Sequence, residues 1–234
     1  MLATFSGGLL ALRSLPYARL DKTACIDKKN DFFIFLNYLC GMKREMKGNV
    51  CVFCASSANI DERYLEAARE LGRRLAQGGW RCVNGGGAVG LMGAVTDGAL
   101  DEDGEVTGVI PKFMVDSGWC YDRLVDVIVT ADMHQRKQMM SDMADAVIAM
   151  PGGVGTLEEL LETLTWRQLG LVKVPVIILN TLGYYDPLLA MLRHAIGEGF
   201  MKESHSQLWQ VADTPQQAID LLENARPVEF ESKY

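Results

Sequence analysis

Short apolar runs alternate with amphipathic stretches along the chain from residue 49 onward. Most of these runs are rich in Val and Ile and show no polar alternation, which is typical of strands buried on both faces of a parallel sheet. The predicted strands are Asn49–Ala55, Trp80–Asn84, Glu105–Ile110, Leu124–Val129, Ala146–Met150, Val174–Leu179 and Leu208–Val211.

The stretches between the strands have helical periodicity, as in the apolar stripe formed by Leu65, Ala68, Leu71 and Leu75. The predicted helices are Arg63–Gln77, Asp132–Ala144, Thr156–Leu169, Tyr185–Ile196 and Pro215–Asn224. This alternation predicts an α/β fold: a single doubly wound, Rossmann-like domain with a mostly parallel sheet of about seven strands. Ligands of such sheets bind beyond the carboxyl ends of the strands, at the switch in strand order.

The chain divides near its first strand. We expect residues 1–45 to form a poorly ordered N-terminal extension, residues 46–226 the folded domain and residues 227–234 a C-terminal tail. The first 20 residues contain two Arg, two Ser and no acidic residue, a composition that transit peptides share. An upstream start that the cell does not use is the alternative, since Met42 and Met46 stand just before the first strand.

Charge and hydropathy limit the classes of partner that the protein can bind. The formal net charge of −7 and the pI of about 5.0 are unfavourable for nucleic-acid binding, which needs clustered Lys and Arg. The chain has no apolar run of 18 residues, so we expect no membrane-spanning helix. Small phosphorylated ligands remain compatible with this charge, because backbone N–H groups can bind them.

Six cysteines raise the question of disulfides or metal. Cys51 and Cys54 form a C-x-x-C pair, but residues three apart on a strand face opposite sides of a sheet and cannot easily share a bond or an ion. We therefore expect structural, reduced cysteines, no metal, and a cytoplasmic protein.

Two turns hold eight of the 23 glycines. The first spans Asn84–Gly93 and the second spans Pro151–Thr156, and each follows a predicted strand and opens a helix. Glycines let backbone N–H groups approach a ligand, and a helix start adds unpaired donors, so both turns are candidate phosphate sites. The first turn also contains G-x-G-x-x-G, the weak signature of dinucleotide binding.

Charged side chains lie beside these turns in the predicted fold. Arg136 and Lys137 open the helix after the fourth strand and are candidates for a clamp on an anion and its sugar. Glu158 and Glu159 follow the second glycine turn closely. A carboxylate there repels phosphate, so its placement favours a role on the sugar that carries the phosphate. Thr165 shares a helical face with Glu158 and is a candidate for the same pocket.

Two segments carry paired motifs: Pro151-Gly-Gly-Val-Gly-Thr-Leu-Glu-Glu159 fits PGGxGTxxE, and Met133-His-Gln-Arg-Lys137 fits MxxRK. These motifs resemble the paired signatures of the Lonely Guy (LOG) family of cytokinin riboside 5′-monophosphate phosphoribohydrolases. The resemblance covers roughly residues 49–225. Further matches are Cys51–Ser57, Gly85–Gly93, Val109–Lys112 and Thr165–Gly170.

The resemblance implies hydrolysis of the N-glycosidic bond of an adenine-type nucleoside 5′-monophosphate, giving the free base and ribose 5-phosphate without a cofactor. It implies a catalytic role for Glu159, with Arg136 holding the substrate and positioning Glu159. It also implies a homodimer, with apolar residues around Trp166 and Leu169 as candidates for the interface. The implied 5′-phosphate ligands are Gly152, Gly153, Gly155 and Thr156, with Lys137 and Glu158 completing the shell.

Other functions stay open at this point. The base could be a cytokinin or plain adenine, as in an AMP nucleosidase. A non-catalytic nucleotide or cofactor carrier would keep the glycines but has no need of Glu159. An NAD-dependent oxidoreductase is suggested only by the G-x-G-x-x-G pattern.

Overall fold

A computed structural model describes residues 46–225, which form a seven-stranded sheet covered by helices on both faces. The strands are β1 (Gly48–Phe53), β2 (Trp80–Asn84), β3 (Val106–Pro111), β4 (Asp126–Thr130), β5 (Ala146–Ala149), β6 (Val176–Leu179) and β7 (Gln210–Ala212). The α-helices are α1 (Glu62–Gln77), α2 (Gly90–Leu100), α3 (Lys112–Asp116), α4 (Met133–Met143), α5 (Val154–Gln168), α6 (Asp186–Gly197) and α7 (Pro215–Glu223).

The sheet is parallel throughout, with the strand order β4-β3-β2-β1-β5-β6-β7. From β1 the chain builds outward through β2, β3 and β4, and β5 then returns to the other side of β1. The direction of winding therefore reverses between β1 and β5, and the turns after these two strands border the crevice where such folds bind ligands. This confirms the predicted α/β doubly wound class.

Each predicted strand and helix is present, with ends within two residues of the expected positions. The helix α5 begins at Val154 rather than Thr156, because Gly153 takes an extended conformation as its N-cap (φ −82°, ψ −158°). The short helix α3 was not predicted, since five residues are too few to show a helical period. The expectations for residues 1–45 and 227–234 lie outside the described residues.

Two apolar layers hold the helices to the sheet. On one face Val50, Val52 and Cys54 pack with α1, α2 and α7, and on the other Cys51 and Phe53 pack with α4, α5 and α6. Cys51 and Cys54 thus face opposite sides of the sheet, as predicted. Both are free thiols, as are Cys82 and Cys120. No helix between residues 46 and 225 is long and apolar enough to cross a membrane.

Candidate active site

Three turns meet at the carboxyl edge of the sheet, beside the switch between β1 and β5. The amide of Ala55, after β1, donates to the carbonyl of Pro151, after β5, over 3.2 Å. The amide of Met92, in the first turn of α2, donates to the carbonyl of Ala55, also over 3.2 Å. These bonds fix the turns after β1, β2 and β5 against one another.

The second glycine turn presents an open helix start. Within the described chain no side chain caps α5 at Gly153, and the first backbone bond across its start runs from the Leu157 amide to the Gly153 carbonyl. A Cβ added to Gly153 or Gly155 would meet nothing within 4 Å, so a ligand has room there. A Cβ on Gly152 would overlap the buried side chain of Thr156. The turn therefore combines unpaired N–H donors with free space, which suits a phosphate.

The first glycine turn uses its donors internally. The Asn84 side-chain oxygen accepts from the Gly86 amide over 2.9 Å, and the Met92 sulfur accepts from the Gly87 amide over 3.0 Å. Gly90 has a φ of +68° and packs against the turn after β1, where a Cβ would overlap backbone atoms of Ser57. The first turn therefore serves packing more than anion binding, which weakens the dinucleotide interpretation.

The ribose-binding acid of a dinucleotide site is also missing from the expected place. Glu105, the nearest candidate, precedes β3 and forms an ion pair with Arg81 near the start of β2. That is the amino edge of the sheet, opposite the glycine turns.

Arg136 and Glu159 form a buried ion pair beside these turns. Arg136 Nη1 lies 2.7 Å from Glu159 Oε1, and their side chains are only 8% and 11% exposed. Arg136 Nε donates to the carbonyl of Val109, at the end of β3, over 3.0 Å. A Cβ at Gly85 would overlap Arg136 Nη2, so glycine at this position leaves room for the guanidinium. These contacts hold the guanidinium on two sides, and its Nη1 group donates a hydrogen bond to the Glu159 carboxylate.

Burial raises the pKa of the Glu159 carboxyl above the ordinary value, and the adjacent Arg136 opposes part of this rise. Glu159 lies one helical turn, roughly 6 Å, beyond Gly155 along α5. A sugar attached to a phosphate at the start of α5 would therefore lie close to this carboxylate. A partly desolvated carboxylate in this place can stabilise positive charge on a sugar or activate a water.

Lys137 forms a second cluster with α5. Its amine contacts Glu158 and also lies 3.0 Å from Glu162. The hydrogen bond to Glu158 is the main reason that the pKa of Lys137 is raised. Thr165 donates to the carbonyl of Leu161 over 2.7 Å and lines the same open depression as Glu158 and Glu162.

The structure adds two contributors that the sequence reasoning did not assign. Glu162 completes the Lys137 cluster, and its position four residues after Glu158 was an available helical signal. The Val109 carbonyl orients Arg136, and no sequence signal identifies a backbone acceptor of this kind.

The buried thiols near the site are poor nucleophiles. Burial raises the pKa of Cys51 well above the ordinary thiol value, and the Glu159 carboxylate adds to the rise. Cys51 and Glu159 line a cavity of about 10 Å³, room for about one water. Among residues 46–225, no group of three or more His, Cys, Asp or Glu side chains is placed to hold a metal.

Fold and site together define a class: a Rossmann-like protein with an anion-binding helix start and a buried Arg–carboxylate pair at the switch point. A family model described as "Possible lysine decarboxylase" matches residues 92–222. The chain is 44% identical over 178 residues to a probable cytokinin riboside 5′-monophosphate phosphoribohydrolase of Oryza sativa subsp. japonica, covering 76% of this chain and 73% of that one. It is 42% identical over 186 residues to a cytokinin riboside 5′-monophosphate phosphoribohydrolase of Arabidopsis thaliana, covering 80% and 86%.

Solved structures agree on the fold. A molybdenum cofactor binding protein from Rippkaea orientalis aligns with a TM-score of 0.59 and 26% identity, over 77% of this chain and 98% of that one. A molybdenum cofactor carrier protein from Chlamydomonas reinhardtii aligns with a TM-score of 0.60 and 24% identity, over 76% and 96%. The chain belongs to the Lonely Guy (LOG) family, whose curated members it matches over most of its length.

Proposed function

We propose that this protein is a phosphoribohydrolase that cleaves the N-glycosidic bond of an adenine-type nucleoside 5′-monophosphate, a cytokinin nucleotide above all. The products are the free base and ribose 5-phosphate. The observation that carries the proposal is the buried Arg136–Glu159 pair, one helical turn from an uncapped helix start. The names of the plant relatives, at 42–44% identity, give the substrate class.

The phosphate binds at the start of α5. The amides of Gly153 and Gly155, with Thr156 beside them, supply donors without a positive side chain, and the helix dipole favours an anion. Lys137 and Glu158 then contact the ribose end of the nucleotide. Because the phosphate orients the sugar, binding energy from a non-reacting group supports the reaction.

Bond cleavage develops positive charge on the sugar, as in other glycoside hydrolyses. The Glu159 carboxylate stabilises this charge and orients the attacking water. Arg136 keeps the carboxylate ionised and positioned, while its guanidinium group is a poor proton donor.

The lysine decarboxylase description fits this site poorly. A lysine that forms a Schiff base needs an unprotonated amine. Glu158 and Glu162 raise the pKa of Lys137 and thereby favour its protonated form. An ion-pairing role on the substrate suits this lysine better.

The first experiment is base release. We expect the protein to release base from AMP and from isopentenyladenosine monophosphate, and to act on the matching nucleosides about 10²-fold more slowly. Chromatographic separation of base from nucleotide measures each rate, and the ratio between the two nucleotides gives the base preference. Binding of AMP without any release of base would instead support a nucleotide carrier.

A homodimer is part of the proposal. Exposed apolar side chains lie along α5, the helix that carries Glu159, and on the turn after it: Val154, Leu161, Leu169 and Leu171. Val154 and Leu171 are 84% and 71% exposed. An apolar face of this kind marks an interface, and a second copy packed on it would cover the depression beside Glu158. Free thiols suit a reducing compartment, so we propose a cytoplasmic location. The net charge of −7 supports the further proposal that nucleic acid is not a partner.

Light scattering tests the dimer directly. We expect the wild type to have twice the 25.8 kDa mass of the chain. The Leu161→Glu variant should have the mass of a monomer, because a charged side chain on this face opposes burial of the face. An exposed change elsewhere, Glu66→Gln on α1, serves as the matched control. A wild-type mass of one chain would contradict the interface.

A further inference from the structure

Tyr184 reaches across from the neighbouring turn to the second glycine turn. It follows β6, while the glycines follow β5, and its hydroxyl donates to the carbonyl of Gly152 over 2.6 Å. Gly152 is buried, whereas Tyr184 is 40% exposed. A side chain at the surface therefore holds a backbone group inside the turn.

The carbonyl that accepts this bond belongs to the same peptide unit as the Gly153 amide. In a trans peptide the C=O and the N–H point in opposite directions, so fixing the Gly152 carbonyl also fixes the direction of the Gly153 N–H. Neither glycine has a Cβ, so rotation of this unit meets little steric resistance by itself. The Tyr184 hydroxyl is thus the group that selects one direction for the amide.

The turn that carries Tyr184 is tightly held. Leu182 has a φ of +56°, a conformation that costs energy for a bulky residue and persists only where the surroundings impose it. The Asn180 side chain accepts from the Tyr185 amide over 2.7 Å and donates to Asp186 over 2.9 Å. The turn that positions Tyr184 therefore contains a strained residue, Leu182.

Two further rings brace Tyr184. Tyr64 and Tyr185 pack edge-on against it, with ring centroids 6.1 Å and 5.1 Å away. Tyr185 donates its own hydroxyl to the Met150 carbonyl over 2.6 Å, so two tyrosines hold the backbone that leads from β5 into the turn.

We propose that Tyr184 is a positioning residue that fixes the Gly153 amide toward the 5′-phosphate and so sets the preference for a nucleotide over a nucleoside. The inference rests on the proposed phosphate site at α5. Tyr184 acts through Gly152 and Gly153 and takes no part in bond cleavage.

The test is Tyr184→Phe, which keeps the ring and removes the hydroxyl. We expect the affinity for AMP to fall roughly three- to tenfold, with the affinity for adenosine unchanged. The KM for the nucleotide should rise by the same factor while kcat changes less than about twofold, since bound phosphate restores the amide direction. Calorimetry with AMP and with adenosine gives the two affinities when both proteins also carry Glu159→Gln, which slows hydrolysis of AMP and largely keeps nucleotide binding.

Matched controls come from the same cluster of rings. Tyr64→Phe removes a hydroxyl that makes no described hydrogen bond and should leave both affinities unchanged. Tyr185→Phe removes a buried bond to the strand end and should lower Tm while keeping the preference for AMP. Gly153→Pro removes the N–H donor of residue 153, and the φ of −82° at this position is compatible with proline. This variant should lose at least as much affinity for AMP as Tyr184→Phe.

The outcomes separate this inference from the proposed function. If Tyr184→Phe keeps the wild-type preference for AMP, the positioning role is wrong and the hydrolase proposal stands. If the variant loses that preference but the wild type releases no base, the positioning role stands and the hydrolase proposal fails. If the wild type itself binds AMP no better than adenosine, both are wrong. Amide hydrogen exchange of residues 152–156 without ligand should be faster in Tyr184→Phe than in Tyr64→Phe, and equal rates would overturn the role of Tyr184 even if that variant binds weakly.

Discussion

Glu159→Gln is expected to lower base release from a nucleoside monophosphate about 10²- to 10⁴-fold while nucleotide binding is largely kept. Glutamine has the same shape but cannot carry the negative charge that stabilises a cationic sugar, and it is not a base. The phosphate site at the start of α5 is untouched by the change, so KM should move far less than kcat. Steady-state kinetics with AMP measure both constants.

The pH dependence of kcat is a second test of the role of Glu159. Burial raises the pKa of Glu159, so protonation disables the wild type at a pH above the pKa of an ordinary glutamate. The acid limb of kcat should therefore lie at a higher pH than the pKa of an exposed glutamate. The residual activity of Glu159→Gln should lack this limb.

Controls isolate the role of this one carboxylate. Glu66→Gln makes the same chemical change on the exposed surface of α1 and should leave kcat unchanged. Glu158→Gln removes a partner of Lys137 and should raise KM more than it lowers kcat. Wild-type turnover in Glu159→Gln would remove this residue from the mechanism.

Arg136→Met is expected to abolish most activity and to destabilise the fold together. Removing one partner of a buried ion pair leaves the other charge uncompensated, which costs about 3–5 kcal/mol. For a chain of this size, that loss corresponds to a fall in Tm on the order of 10 °C. Thermal unfolding and base release measure the two effects on one sample.

The destabilisation should depend on pH with a definite sign. Arg136 opposes the rise that burial causes in the pKa of Glu159 more than Lys137 does, so its removal raises this pKa further. The pKa of this carboxyl is then higher in the folded state than in the unfolded state. Such a group destabilises the folded state once pH exceeds the unfolded-state pKa, and the free-energy cost grows until pH passes the folded-state pKa. The Tm difference between Arg136→Met and wild type should thus be largest at neutral pH and should shrink on acidification.

A double variant distinguishes the two roles of the pair. Arg136→Met with Glu159→Gln removes the orphan charge, so Tm should recover toward wild type while activity stays lost. Gly85→Ala offers a milder change, because its methyl group displaces the guanidinium without deleting it. A double variant no more stable than Arg136→Met would contradict the charge-burial account.

The sequence anticipated most of the fold because the relevant signals are local. Apolar runs and helical stripes located all seven strands and five of the helices to within two residues. The start of α5 was predicted at Thr156, because the glycines before it favour a loop over a helix. In the structure Gly153 is extended and α5 begins at Val154, so Val154 and Gly155 of the phosphate turn belong to the helix.

Within the candidate site, the sequence alone determined which chemistry is available: two glycine turns at helix starts, a cationic pair, and carboxylates just after the second turn. Only the tertiary structure decided which of these groups meet. Arg136 and Glu159 lie 23 positions apart and pair because α4 and α5 pack on the same face of the sheet. Tyr184 lies 32 positions beyond Gly152 and contacts it because β5 and β6 are neighbours. Periodicity records how each segment folds, whereas contacts between segments depend on strand order and helix packing, which no local pattern encodes.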